Sequence, residues 1–149
     1  MKYLKYFSIL LLLTFVVIQF IKPDKNNHGY QSVSLFEKET VPTKQIAMIL
    51  KNNCYDCHSD QTNYPWYNNI SPINYWLEEH IKDGKKHFNV SAWDAYSARK
   101  KDHKLEELIE YVEQDEMPLD SYTWLHGDLS TKDTETLLQW AQISRIEYQ

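Results

Sequence analysis

The sequence predicts an all-α protein of about five helices that follow an apolar N-terminal segment. Three observations lead to this fold class. The 149 residues include three glycines, too few for the many tight turns of an all-β fold. Apolar residues recur at helical spacing in several stretches, and no stretch shows the alternation of a half-buried strand. Ser and Thr residues, which favour helix starts, stand just before several of these stretches.

The first 22 residues combine early lysines with a long apolar run. Lys2 and Lys5 precede the run from Phe7 to Ile21. A membrane-spanning helix needs about 20 apolar residues, and no small-residue cleavage site follows the run. We therefore expect residues 1–22 to form an uncleaved signal-anchor helix in the inner membrane, with the rest of the chain exported to the periplasm. The alternative is cleavage of this segment, which would give a secreted protein.

The exported part divides into two regions. Residues 23–40 are polar without a clear period, which predicts a tether. Residues 41–149 contain the helical stretches and are expected to form the folded domain. The five predicted helices begin near Thr43, Ser71, Ser91, Asp102 and Ser130.

Three sequence signals refine these helix ends. Ser91 with Asp94, and Ser130 with Asp133, have the spacing of a capping box, in which the residue three positions on supports the helix start. Gly84 is expected to end the helix that begins near Ser71. The first box is followed by the short basic run at 99–101, and the chain as a whole is acidic, with a net charge of −5. An acidic chain without a basic face is not expected to bind nucleic acid.

Both cysteines of the chain lie in one short motif. Cys54 and Cys57 stand three residues apart, and His58 follows directly. On a helix these positions share one face. Two thiols on that face can join the two vinyl groups along one porphyrin edge, and the imidazole beside them can coordinate the iron. The C-x-x-C-H pattern therefore indicates covalently attached haem c.

Three other uses of the cysteine pair stay open. A thioredoxin-like redox disulfide expects a βαβ pattern around the motif, and none is visible. A structural zinc site needs a second pair of ligands, which would have to come from scattered histidines. A purely structural disulfide would close a loop too short to constrain the unfolded chain much.

Met117 is the first candidate for the sixth iron ligand. Pro118 disfavours helical geometry at the residue before it, so Met117 should follow a helix end on a non-helical segment. A thioether is a soft ligand, and a His/Met pair raises the reduction potential of haem. The alternative for Met117 is a core residue at a helix exit. His126, in the same loop, is the second choice, whereas His80 on the apolar face of its helix is expected to be a packing residue.

Three stretches together resemble a known family: "CYDCHS", "YPWY" and "MPLDSYTWLH". With the chain between them, they are similar to the small exported haem-binding domain family of Bacteroidetes-type bacteria, which is c-type-cytochrome-like. The resemblance implies covalent haem at Cys54 and Cys57, His58 as the proximal ligand and an axial role for Met117.

The resemblance also implies a cytochrome-c-like helical fold. In that fold the helix before the haem motif packs against the last helix, where Trp140 would be a packing residue. The chain departs from ordinary class I cytochromes c because an aromatic stretch, residues 64–76, replaces a glycine-rich loop after the motif. Four aromatics of this stretch are candidates for the haem pocket or, alternatively, simple core residues: Tyr64, Trp66, Tyr67 and Trp76.

The expected function is one-electron transfer by a single haem c with His58 and Met117 as axial ligands. The expected partners are the membrane, through the N-terminal helix, and a redox protein that the sequence does not identify. One alternative is a haem-based sensor or ligand-binding module, in which a gas or His126 displaces Met117. Enzymatic alternatives are a thiol-disulfide oxidoreductase and a peroxidase-like protein, although the sequence offers no convergent set of distal acid–base groups.

Overall fold

The computed structural model describes residues 2–149, and the regular structure in this range is helical. Residues 2–149 contain eight α-helices, so the predicted count of about five is wrong although the chain is all-α. The α-helices are α1 (Lys2–Ile18), α2 (Ser34–Thr40), α3 (Lys44–Asn53), α4 (Tyr55–His58), α5 (Ile73–His87), α6 (Ala98–Glu113), α7 (Asp120–His126) and α8 (Thr131–Ile146). Three 3-10 turns lie at Tyr30–Val33, Trp66–Asn69 and Val90–Ala95.

The N-terminal helix α1 is shorter than the signal-anchor helix predicted over residues 1–22. It has 17 residues and ends at Ile18. Immediately after it, the side chain of Gln19 exchanges two hydrogen bonds with the backbone of Ser71, at 2.9 and 3.0 Å. Across residues 2–149, no helix has the length and hydropathy that a bilayer crossing requires. The predicted signal-anchor over residues 1–22 and the inner-membrane localisation are therefore wrong; Met1 itself lies outside the described residues.

The segment 23–40, expected to be a polar tether, is folded onto the body. Phe36 of α2 is fully buried, and its ring meets that of Trp93 edge to face at 4.9 Å. The backbone N–H of His28 donates a hydrogen bond to the carbonyl of Asp60 at 2.9 Å. The sequence pattern missed this packing because a short helix that buries only a few apolar side chains has no clear period.

The core lies mainly between α6 and α8, with α3 against one side. Leu105 of α6 and Leu137 of α8 are fully buried. Trp140 is also buried, and its indole N–H donates to the carbonyl of Thr40 at 2.9 Å. Because α3 contacts α8, the helix that precedes the cysteine motif meets the last helix of the chain. This contact holds the motif against the core.

Two predicted helix starts are confirmed. The Thr43 hydroxyl accepts a hydrogen bond from the N–H of Ile46 at 3.3 Å, and caps α3. Ser130 caps α8 by accepting from the N–H of Asp133 at 3.1 Å, while its hydroxyl donates to the Asp133 carboxylate at 2.7 Å. These caps form between residues close in sequence, which is why the pattern was sufficient to find them.

The predicted start at Ser91 is wrong. Its hydroxyl accepts a hydrogen bond from the N–H of Asp60 at 2.8 Å, so tertiary pairing replaces the expected cap. The chain there forms a 3-10 turn, and α6 begins after Ser97, which accepts from the N–H of Lys100. The start near Ser71 is displaced: α5 begins at Ile73 without a side-chain cap.

Candidate functional site

Cys54, Cys57 and His58 lie on one helical turn where α3 meets α4. The carbonyl of Cys54 accepts hydrogen bonds from the N–H groups of Cys57 at 3.2 Å and His58 at 2.9 Å. The three side chains therefore leave the turn on one face, and all three line a cavity of about 500 Å³. Both cysteines are free thiols. This juxtaposition is the one that a C-x-x-C-H haem motif requires.

The imidazole of His58 is held by the backbone at the end of α5. Its Nδ1 lies 3.0 Å from the carbonyl oxygen of Gly84 and 2.9 Å from that of Phe88. Since carbonyls only accept, Nδ1 carries the proton and Nε2 keeps its lone pair. Burial lowers the pKa of His58, which favours the neutral ring. The hydrogen bonding thus selects the tautomer that coordinates a metal through Nε2.

Gly84 allows α5 to approach the cysteine turn. A Cβ atom at this position would lie 2.7 Å from the carbonyl oxygen of Cys57 and 3.1 Å from its Cβ. Such distances leave no room for a side chain. The predicted role of Gly84 as a helix end is wrong, because α5 continues to His87. A glycine inside an otherwise helical pattern was the available signal for this contact.

Met117 lines the same cavity as the cysteine turn. It is half-buried on the segment after α6, which ends at Glu113, and its N–H donates to the carbonyl of Tyr111 at 3.1 Å. Much of the remaining wall is apolar: Phe88, Leu108, Val112, Pro118, Leu119, Leu129 and Leu137. The cavity therefore combines three imidazoles, of His58, His80 and His87, with two thiols, a thioether and a partly apolar wall.

Similarity to known proteins identifies the cofactor. The family described as "Haem-binding domain" matches residues 13–143. The chain belongs to the haem-binding domain family. Cytochrome c peroxidase Ccp from Escherichia coli (strain K12) is 32% identical over 110 residues, which are 70% of this chain and 24% of that relative. The haem-binding domain thus spans about a quarter of the length of this curated relative. No solved structure matches it.

The cavity of the haem-binding domain fits haem. Its volume of about 500 Å³ falls within the roughly 300–1,000 Å³ usual for ligand and cofactor sites. Its lining includes an imidazole with a free Nε2 and a soft thioether, both of which are haem-iron ligands. In contrast, the part of the chain from residue 2 onward contains no group of three or more His, Cys, Asp or Glu able to hold a metal ion. The zinc alternative therefore has no ligand set in the described residues.

The thiols are poorly suited to disulfide exchange. Burial raises the pKa of Cys54 to about 12, and the neighbouring Cys57 and Asp56 contribute to the shift. Burial and the charge of Asp56 likewise raise the pKa of Cys57 to about 12. Thiol-disulfide oxidoreductases need a thiolate, which a lowered cysteine pKa provides. The environment of this pair therefore argues against the oxidoreductase alternative.

His126, the second-choice distal ligand, lies outside the lining of the haem cavity. Its ring stacks on Tyr122, with 4.1 Å between ring centroids and 8° between planes. Its Nε2 lies 3.0 Å from the hydroxyl oxygen of Tyr67. It lines a second, more polar cavity of about 280 Å³ together with Asp56 and Tyr122. In this arrangement Met117, and not His126, shares a cavity with His58.

The aromatic stretch does not form the haem-cavity wall. Tyr64, Trp66, Tyr67 and Trp76 all lie outside its lining. The Tyr64 hydroxyl accepts a hydrogen bond from the N–H of Asn26 at 2.7 Å, which fixes the N-terminal segment. Trp66 is 76% exposed, and Trp76, at 45%, packs on His80. Their closeness to His58 in sequence predicts a place in the haem pocket. In the fold, however, these side chains contact other parts of the protein or lie exposed.

The charged part of the cavity lining was also missed from the sequence. It includes Glu79 and Asp83 of α5, and Lys104 and Glu107 of α6. The Lys104 ammonium pairs with the Glu107 carboxylate. No spacing in the sequence relates the two helices, so only their packing brings these groups to one cavity.

Proposed function

We propose that this protein carries one haem c, attached through Cys54 and Cys57 and bound axially by His58 and Met117, and that it transfers single electrons to a partner protein. The observation that carries the proposal is that all four side chains line one cavity. When bound, the haem supplies an iron centre that changes oxidation state by one electron.

The residues of the chain would divide the work. Cys54 and Cys57 would hold the haem covalently: each S–H would add across one vinyl group, forming a C–S bond while the thiol hydrogen goes to the neighbouring carbon. His58 offers Nε2, while the carbonyls of Gly84 and Phe88 hold its Nδ1–H. Met117 offers a thioether, which favours the reduced state. The apolar walls exclude water and so also tune the potential.

The attachment is tested by the intact mass and the pyridine haemochrome spectrum of the protein after expression with a cytochrome c maturation system. We expect one added haem in the wild type and none in a Cys54→Ala/Cys57→Ala variant. A wild-type mass equal to that of the polypeptide, with two thiols open to alkylation, would refute covalent attachment. A redox titration should then follow a single one-electron transition.

A second candidate function is peroxide reduction, which the similarity to cytochrome c peroxidase Ccp favours. That activity needs a sixth iron position open to the substrate, and Met117 shares the cavity with His58. The two candidates differ in how the ferric protein responds to hydrogen peroxide. An electron carrier with a bound methionine should show no peroxide-dependent oxidation of a reduced cytochrome, whereas turnover would establish the peroxidase.

A further inference from the structure

Helix α7 begins three residues after Met117, and all of its side chains retain solvent exposure. Trp124 and Leu125 are 80% and 66% exposed. Burial therefore contributes little to keeping this helix in place. Its position depends on the few side chains that reach other parts of the protein.

Tyr122 makes the strongest of these contacts. Its hydroxyl donates a hydrogen bond to the carbonyl of Asn52 at 2.6 Å, and a carboxylate oxygen of Asp56 lies 3.3 Å away as a second acceptor. Asn52 lies two residues before Cys54, and Asp56 lies between the two cysteines. One phenol group thus links the segment after Met117 to the turn that carries the haem motif.

The acceptors are themselves held in place. Asp56 is buried, and its other carboxylate oxygen accepts from the N–H of Asn63 at 2.7 Å. The carbonyl of Asp56 accepts from the hydroxyl of Thr62 at 2.6 Å. These bonds fix Asp56 and the turn around it. The hydrogen bond from the hydroxyl of Tyr122 therefore holds α7 in place against a fixed turn.

The ring of Tyr122 lies between two cavities. It lines the haem cavity together with Met117 and also lines the second cavity with Asp56 and His126. The ring of His126 stacks on the ring of Tyr122. A shift of Tyr122 would therefore change the wall beside Met117 directly.

We propose that Tyr122 is a positioning residue for the sixth iron ligand: its hydroxyl ties α7 to the haem-motif turn and thereby keeps Met117 in the haem cavity. This inference rests on the proposed ligation by Met117. Upstream, the Met117 segment is held by hydrogen bonds to the carbonyl of Tyr111. Downstream, Tyr122 supplies the restraint to the haem-motif turn, so loss of its hydroxyl loosens this end of the ligand segment, although the contact of His126 with Tyr67 still holds the end of α7.

The test is a Tyr122→Phe variant of the haem-loaded protein. It removes the hydroxyl and keeps the ring against His126. Two signals report on the ligand: the long-wavelength charge-transfer band of methionine-ligated ferric haem, and the carbon monoxide affinity of the reduced protein. Without the hydrogen bond, Met117 should leave the iron more often. We therefore expect the band to weaken and the apparent affinity for carbon monoxide to rise about 10-fold, or about 1.4 kcal/mol.

Tyr75→Phe is the matched control. The hydroxyl of Tyr75 donates a hydrogen bond to the carbonyl of Ile21 at 3.2 Å, and Tyr75 lies outside the lining of the haem cavity. This variant should keep the wild-type band and affinity. Met117→Leu provides the reference for complete loss of the ligand.

The results separate the inference from the function on which it rests. If Met117→Leu abolishes the band while Tyr122→Phe keeps both the band and the wild-type affinity, methionine ligation stands and the role of Tyr122 is refuted. If the wild type lacks the band, the ligation by Met117 fails, and the positioning role fails with it. A weakened band and raised affinity in Tyr122→Phe alone support the role.

Discussion

The two sides of the haem cavity are held by different kinds of contact. On the His58 side, the imidazole is bonded to the backbone carbonyls of Gly84 in α5 and of Phe88 just after the helix end, and Gly84 lets that helix lie against Cys57. On the Met117 side, the methionine lies on a loop, and the hydroxyl of Tyr122 ties the exposed helix after it to the haem-motif turn. Backbone contacts in a packed helix open rarely, whereas exposed segments open locally at low cost. We therefore expect the Met117 side of the cavity to open more readily than the His58 side.

Hydrogen exchange compares the two sides directly, and here we expect the largest effect. The N–H of Phe88 bonds to the carbonyl of Gly84 in α5, and the N–H of Gly127 bonds to that of Thr123 in α7, both at 2.9 Å. After correction for intrinsic rates, the Phe88 amide should exchange at least about 100-fold more slowly. Equal rates for the two amides would remove the contrast between the sides.

A methyl group at Gly84 should break the His58 side. Gly84→Ala places a Cβ 2.7 Å from the carbonyl oxygen of Cys57, so α5 must shift away from the turn. We expect the free energy of unfolding to fall by about 1–3 kcal/mol, as overpacking does elsewhere. Urea titration measures the loss.

The control for this change is Lys86→Ala, an exposed substitution in the same helix. Alanine favours helices, so this variant should stay within about 0.5 kcal/mol of the wild type. An equal loss in both variants would mean that the approach of α5 to the cysteine turn is not the cause.

Replacement of Met117 should lower the reduction potential of the haem-loaded protein, with a smaller loss of stability than Gly84→Ala causes. Met117→Leu preserves apolar volume and removes the sulfur, so the free energy of unfolding should fall by less than about 1.5 kcal/mol. The reduction potential of the haem-loaded protein should drop, because the thioether raises it. Met48→Leu, on the exposed side of α3, should alter neither quantity; an unchanged potential in Met117→Leu would exclude methionine as ligand.

The smallest effect is expected at Trp124. Its side chain is 80% exposed on α7, so Trp124→Ser should change the free energy of unfolding by less than about 0.5 kcal/mol. Thermal melting in parallel with the wild type is sufficient to measure this. A loss well above that value would show that α7 is held by packing of its outer face, and would weaken the role given to Tyr122.

Local signals in the sequence predicted part of this architecture. The caps at Thr43 and Ser130 join residues three apart, and the C-x-x-C-H motif joins residues on one turn. The neighbouring residues in the sequence therefore determine each of these features. Ser91 has the same capping spacing as Ser130, yet its hydroxyl bonds to the N–H of Asp60. The two sites differ because a distant partner competes for Ser91, and spacing does not report such competition.

The candidate site divides in the same way. Met117 was predicted from its chemistry and from Pro118, and it shares the haem cavity with His58. The aromatics of residues 64–76 were proposed because they follow His58 closely, and they line other surfaces. Proximity in sequence failed there because the chain leaves the cavity after His58, and the hydroxyl of the next residue, Ser59, donates to the carbonyl of Tyr55 as the turn ends.

Residue types and short spacings were sufficient to predict an all-helical chain and to place Cys54, Cys57 and His58 on one turn, because helix formation and motif geometry are local. Only the packed structure decides which nitrogen of His58 is free, why residue 84 is glycine, and how Tyr122 meets Asn52. Each of these depends on groups that are 26, 27 or 70 positions apart in the chain. Such pairs meet only when the helices pack, so no local pattern encodes their contact.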